Sequence, residues 1–210
     1  MGNKMTDVPP QRSSYHHGDL RAQLISAVSD LVETHGPDGF SVAEAARRAG
    51  VSSAAPYKHF KDRPELLRAV ASEGMDRLRE AMTAAAARYP EGSIEAVAAI
   101  GQAYVDFARS HPGVFRLVFG LTEGHEEDPV LHQKGNECFA VVARAVASVL
   151  SRPAEDPVVL QRAHMLWTCV HGHSFLTIDR KTEGMFEVSA DWDFLVGVSF
   201  LILDRDARIL

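Results

Sequence analysis

Phe40–Leu67 reads FSVAEAARRAGVSSAAPYKHFKDRPELL, and this stretch decides the fold. Ser41 is a natural N-cap, and Val42 to Ala49 is rich in Ala and Arg, both good helix formers. Gly50 suits the left-handed backbone that closes such a helix. Val51 can be buried where two helices cross, and Ser52 can cap the next helix, expected over Ser53 to Phe60. On the leading face of that second helix, Ser53, Ala54 and Ala55 are small enough to bring the backbone close to base edges. Tyr57, Lys58, His59 and Lys61 can reach phosphates, and Ser41 and Ser52 join them at the ends of the unit. Two short helices joined by a glycine turn, with basic residues on and after the second, make a helix-turn-helix whose second helix enters the major groove of double-stranded DNA.

The same residues resemble the DNA-binding segment of the TetR/AcrR family of bacterial transcriptional regulators. The family pattern A-x-x-A-G-V-S-x-x-x-x-Y-x-H-F-x-x-K/R-x-x-L-L is met by Ala46, Ala49, Gly50, Val51, Ser52, Tyr57, His59, Phe60, Arg63, Leu66 and Leu67. Two positions depart from it. Ala45 stands where many members carry Ile, which loosens packing of the second helix on the first, and Pro56 stands where many carry Leu. In the first turn of a short helix the missing N–H of Pro56 costs little. The resemblance implies a homodimer, more a repressor than an activator, that is released from a palindromic operator by a small-molecule effector. It also implies that the last two helices form a four-helix bundle with those of a second subunit.

Composition is compatible with this. With 210 residues, 46% of them hydrophobic, the chain can bury an ordinary core, and no apolar run is long enough to span a membrane. Cys138 and Cys169 lie in apolar helical contexts and read as reduced core residues, which points to the cytoplasm. The net charge of −6 is unevenly spread: residues 1–64 hold 8 Lys or Arg against 7 Asp or Glu, and residues 65–210 hold 14 against 21. An acidic body helps orient the basic edge toward DNA.

Along the chain, residues 1–14 read as a mobile arm in which Arg12 could touch phosphate. Residues 15–62 form the DNA-binding unit. Tyr15 to Gly18 resembles the YHHG lead-in of one branch of the family, with His17 placed to contact the backbone or the minor groove. A first helix follows the candidate cap Asp19, repeats Leu20, Leu24, Val28 and Leu31 at helical spacing, and stops at Gly36 and Pro37. A connecting helix over residues 63–88 starts after Asp62 and is broken by Tyr89 to Gly92. Residues 89–210 are expected to bind ligand and dimerise, through helices at about Ile94 to Arg109, Val114 to Phe119, Pro129 to Leu150, Asp156 to Arg180 and Ser189 to Arg205. No alternating strand pattern competes with these. The expected fold is all-α: an N-terminal three-helix DNA-binding domain and a C-terminal helical body. The final helix, with Leu195, Phe200, Leu201 and Leu203 among its apolar residues, carries more apolar surface than one covering stripe needs.

In the body, HPGVFRLVFG from His111 and WTCVHG from Trp167 resemble a C-terminal domain variant named for its Trp, His and Gly. Trp167 and His171 stand four apart on one helical face, with His164 one turn earlier. Two readings are open: a pocket wall with one polar handle, or a core tryptophan with a hydrogen-bonded histidine. Gly172 would let a facing helix approach closely. Further pocket candidates are Tyr104, Phe107, Phe115, Phe119 and Phe139, together with Arg116, which if buried would need an anionic partner. Catalysis has little support: there is no C-x-x-C, G-x-S-x-G, P-loop or dinucleotide fingerprint, and no cofactor is expected. His164, His171 and His173, or His125 and His132 with Glu126 and Asp128, lack the spacing of a helical zinc site. A metal-responsive regulator and a DNA-binding protein without ligand remain the alternatives.

Overall fold

The computed structural model describes residues 20–120, 128–181 and 191–204. All regular structure among them is helical: α1 (Leu20–His35), α2 (Val42–Arg48), a 3₁₀ turn (Pro56–Lys58), α3 (Arg63–Ala86), α4 (Ile94–Ser110), α5 (Pro112–Phe119), α6 (Pro129–Leu150), α7 (Pro157–Ile178) and α8 (Asp191–Leu203). The fold is that of an N-terminal helix-turn-helix joined to a C-terminal helical body.

α2 starts where its cap predicts, with the Ser41 hydroxyl accepting from the Glu44 N–H at 3.1 Å, and Gly50 adopts φ +71° just beyond it. The expected second helix is different. In place of an α-helix over Ser53 to Phe60, the chain runs through turns into a single 3₁₀ turn at Pro56–Lys58, and Ser52 caps no helix. Pro56 is the physical reason. It has no N–H to return to the Ser52 carbonyl, which accepts instead from Ala55 N at 3.0 Å, three residues on. Pro56 and Phe60 are buried and anchor the segment from below. The other departure, Ala45, is fully buried, its small side chain allowing α2 close to the core.

α3 begins abruptly. The Asp62 carboxylate accepts from Glu65 N at 2.8 Å while the Glu65 carboxylate accepts from Lys61 N at 2.6 Å, a reciprocal cap of the capping-box kind. Its 24 residues make a rod about 36 Å long, which packs on α1 near its start and on α4, α5 and α6 beyond. Gly74 permits the crossing with α5, because a Cβ there would stand 2.7 Å from Val114 Cγ1.

α5 is held to α1 by its own N-terminus. The Glu33 carboxylate accepts from the Gly113 and Val114 N–H groups at 2.7 and 2.9 Å. Those are two of the otherwise orphaned donors of the first turn, and a negative charge there is favoured by the helix dipole. Gly113 makes the approach possible, since a Cβ would fall 2.6 Å from the Val32 carbonyl oxygen. One apolar core therefore runs from Leu24 on α1 through Leu78 and Phe115 to Leu195 on α8, with a second cluster around Val97, Val146, Val159 and Leu166. Of the two thiols read as core, Cys138 is half-buried but Cys169 is exposed, because it lies on the outward side of α7.

Candidate functional site

Ser41, Ser52, Ser53, Ala54, Tyr57, Lys58, His59 and Lys61 are all exposed, with Ala55 half-buried between them. What holds this segment in place is packing from behind. The Arg21 guanidinium lies over the Phe60 ring at 5.3 Å, and that of Arg63 lies over Phe40 at 4.8 Å while donating to the Pro37 carbonyl. Because the Ser41 oxygen already accepts the Glu44 N–H, its own proton is what it has to offer a phosphate. Arg47, absent from the sequence-based candidates, adds a cation that is 82% exposed and lies 3.8 Å from Glu44. Arg48 is tied to Asp30 at 3.0 Å. Arg12 and His17 lie outside the described residues.

The body encloses a cavity of about 460 Å³ between α3, α4, α5, α6, α7 and α8. Its wall includes Met75 and Met82 from α3, Ile100 from α4, Leu195 from α8, and the four predicted residues Tyr104, Phe119, Phe139 and Trp167. Among the described residues no Lys, Arg, Asp or Glu lines it. Such a volume with apolar walls and few polar atoms is that of a small-molecule site.

Four predicted residues stand elsewhere. Phe115 is wholly buried behind the wall, packed on Tyr104 and Phe119. His171 forms a second layer, its ring against Phe115, Phe119 and Phe175. Phe107 turns to α3, where its ring meets His111 and Arg77 beside a shallow groove with Trp192. Arg116 lies at the surface, because one residue along a helix is a rotation of about 100° away from Phe115. It pairs there with Asp179. The residues that sequence reasoning missed, among them Met75, Met82, Ile100, Gly101 and Gly135, belong to no local motif.

The two open readings of Trp167 and His171 resolve into one arrangement. The Trp167 Nε1–H reaches the Tyr104 hydroxyl at 3.4 Å, and that hydroxyl is 2.8 Å from His171 Nδ1. The indole can only donate, so the Tyr104 oxygen accepts from it, while the direction of the hydrogen bond between Tyr104 and His171 follows the imidazole tautomer. Burial favours the neutral forms throughout: it pushes the Tyr104 phenol up, the His171 imidazole down and the Cys138 thiol up to about 11. Trp167 is wall, and His171 orients it through Tyr104.

Among the described residues no group of three or more His, Cys, Asp or Glu is arranged to hold a metal ion, and no helix is long and apolar enough to cross a membrane. His173, one of the histidines considered as a ligand, lies 2.9 Å from an Asp191 oxygen and stacks on Phe194.

Residues 24–70 match the family profile described as bacterial regulatory proteins, tetR family, and residues 97–198 match that of the tetracyclin repressor-like C-terminal domain. The chain belongs to the TetR family. Solved structures agree with that placement. A protein of unknown function from Rhodococcus sp. RHA1 is 26% identical, with 91% of this chain and 97% of that one covered and a TM-score of 0.75. A TetR family transcription regulator from Marinobacter aquaeolei VT8 shares the fold at 19% identity, with 88% and 93% covered and a TM-score of 0.62. So does the transcriptional regulator FadR from Bacillus subtilis, solved in complex with stearoyl-CoA, at 17% identity, 87% and 97% covered and a TM-score of 0.62. No curated protein sequence matches the chain. As a TetR-family member the protein is a DNA-binding transcriptional regulator of helix-turn-helix type, and its fold is that of regulators and not of enzymes.

Proposed function

We propose that this TetR-family protein is a homodimeric repressor, acting in the cytoplasm, that leaves a palindromic operator when an apolar small molecule fills the cavity. The observation that carries the reading is that α3, which begins two residues after Lys61 and directly after its cap Asp62, also supplies Met75 and Met82 to the cavity wall. A ligand that displaces those side chains acts on a rod whose other end carries the DNA-contacting segment. α5 offers a parallel route: Val118 and Phe119 line the cavity while the opposite end of the helix is fastened to Glu33 of α1. A ligand shifts the DNA-binding equilibrium only by its differential affinity for the two arrangements, and typical couplings are about 1–3 kcal/mol.

A largely apolar effector suits a wall that carries no charge among the described residues, and FadR from Bacillus subtilis, with the same fold, is the protein solved with stearoyl-CoA. Dimerisation through α7 and α8 is supported by exposed apolar side chains, Leu201 at 70% and Phe200 at 60%. It is supported also by Gly172 and Gly197, where an added Cβ would meet nothing within the subunit. Glycines without an internal reason leave room for a neighbouring helix. On this reading residues 15–62 read DNA, 63–88 connect, and 89–210 sense and dimerise.

Selection of bound sequences from random duplexes tests the proposal. The expected product is a pseudo-palindrome with half-site centres about 34–36 Å apart, as two recognition segments related by a dyad require. A single asymmetric half-site bound by a monomer would refute it.

A further inference from the structure

Every residue of the cavity wall is buried or half-buried except four: His132 and Asn136 on α6, and His164 and Trp167 on α7. His132 and Asn136 are one turn apart on one face of α6, and His164 and Trp167 one turn apart on α7, so the two pairs form the lips of a mouth between these helices. All four carry hydrogen-bonding side chains, the Trp167 Nε1–H being engaged by the Tyr104 hydroxyl. Inside, the Tyr104 hydroxyl is spent on His171, and the Cys138 thiol donates to the Met75 carbonyl at 3.5 Å. Ser199 is the remaining buried hydroxyl of the wall. The exposed polar groups of the wall therefore gather at the α6–α7 mouth, whereas Met82, Ile100, Leu166 and Leu195 are buried and apolar.

We propose that the effector is an amphiphile that enters tail-first through the mouth between α6 and α7, its apolar body filling the cavity and its single hydrogen-bonding head held by His132, Asn136 and His164. This rests on the cavity being the effector site. The reverse orientation would carry the head past the lips into a wall that offers it little, leaving a polar group unpaired in an apolar enclosure. A charged head fares worse there, with no Lys, Arg, Asp or Glu among the described residues of the wall to meet it. Held at the lips, a carboxylate keeps its contact with water, and so does the carbonyl of a bulky thioester whose remainder extends outward.

Trp167 at the lip is a built-in reporter of orientation, because bromine quenches indole emission on contact. In a Trp192→Phe background, 2-bromodecanoic acid, with its bromine beside the head, should quench most of the Trp167 emission, and 10-bromodecanoic acid, with its bromine at the tail, should quench little. A companion Trp167→Phe protein, retaining only Trp192 beside Tyr89, should be quenched by neither, and it covers the case in which the first variant folds poorly. Asn136→Leu and His164→Leu, both at exposed positions, should each weaken binding of the bromo acids by about tenfold, the loss of one hydrogen bond to the head. Thermal melting of each variant confirms that it is folded before its binding is compared. Displacement by decanoic acid and by decanoyl-CoA then tells a free acid from a thioester, whichever acts at the lower concentration being the head that the mouth prefers. Stronger quenching by the tail bromine, or head variants that bind as wild type does, would overturn the orientation while leaving the cavity as effector site. Absence of saturable quenching by either acid, and of displacement by either competitor, would overturn both.

Discussion

The segment proposed to contact DNA is assembled from one short run of chain, Ser41 to Lys61, whereas the cavity wall draws its residues from Met75 to Ser199 on six helices. Caps and turns between near neighbours place the first: Ser41 on Glu44, Gly50 in the left-handed region, Asp62 and Glu65 locking the start of α3. The second exists only once those six helices are packed, and its polarity follows from which face each happens to present. A site made by local rules keeps its chemistry when its neighbours change. A site made by packing alters with any shift of a wall, which is what a sensor requires. α3 belongs to both, and the contrast between the two ends of that helix can be attacked one end at a time.

The largest effect is expected at the proposed seam, remote from both sites. Leu201→Glu places a charge on a surface that a lone subunit tolerates and a dimer does not. Sedimentation should show monomers, operator affinity should fall by about 10³-fold toward nonspecific binding, and Trp167 emission should be unaltered because the cavity is intact. A variant that remains dimeric with full operator affinity would move the seam to another face.

A smaller effect, confined to the reader, follows from Lys58→Ala and Lys61→Ala. Each should weaken binding to all sequences and reduce the slope of log affinity against log salt by about one phosphate contact. Neither should touch ligand affinity. If one of them leaves the slope as it was, that lysine points away from the backbone.

These predictions differ in how much of their basis was legible beforehand. Helical spacing and breakers marked α1, α3, α4, α6 and α7 to within a few residues, since periodicity over many turns outweighs any one misfit. Periodicity does not reach the short segment after Gly50: a proline in the first turn of a longer helix costs little, yet with so few residues the one missing N–H converts the α-helix into turns and a 3₁₀ turn. In the body, aromatic residues were visible as candidates, but not which way they face. Tyr104 and Phe107 lie three apart on α4, and only the partners packed against them send one to the cavity and the other to His111 and Arg77. Arg116 illustrates the same limit, flanked by apolar residues in sequence and directed to solvent by the helix.

The smallest effect concerns pH and the second layer of the cavity. Burial lowers the His171 imidazole below its ordinary value of 6.5, and burial together with Arg77 does the same to His111. Above that value the rings are neutral in folded and unfolded chain alike. Below it the unfolded chain takes up protons that the folded one resists, so stability falls as pH drops through 6.5 and beyond. His171→Phe should reduce this acid sensitivity without abolishing it, His111 remaining. Melting temperatures from pH 7.5 down to 5 that run parallel for the two proteins would show that burial does not disfavour the charged form of His171.

The link between the two regions is tested most directly by filling the cavity with the protein's own atoms. Gly135 lies in the wall on α6, where an added Cβ would meet only Met75 Cε, at 3.7 Å. A Gly135→Phe side chain therefore enters the cavity and presses on α3 at Met75. Operator titration of that variant, confirmed folded and dimeric, should show affinity reduced by about tenfold or more with no ligand present, a coupling within the usual 1–3 kcal/mol. Wild-type operator affinity in a folded, filled protein would contradict the claim that occupancy of the cavity is read at the DNA.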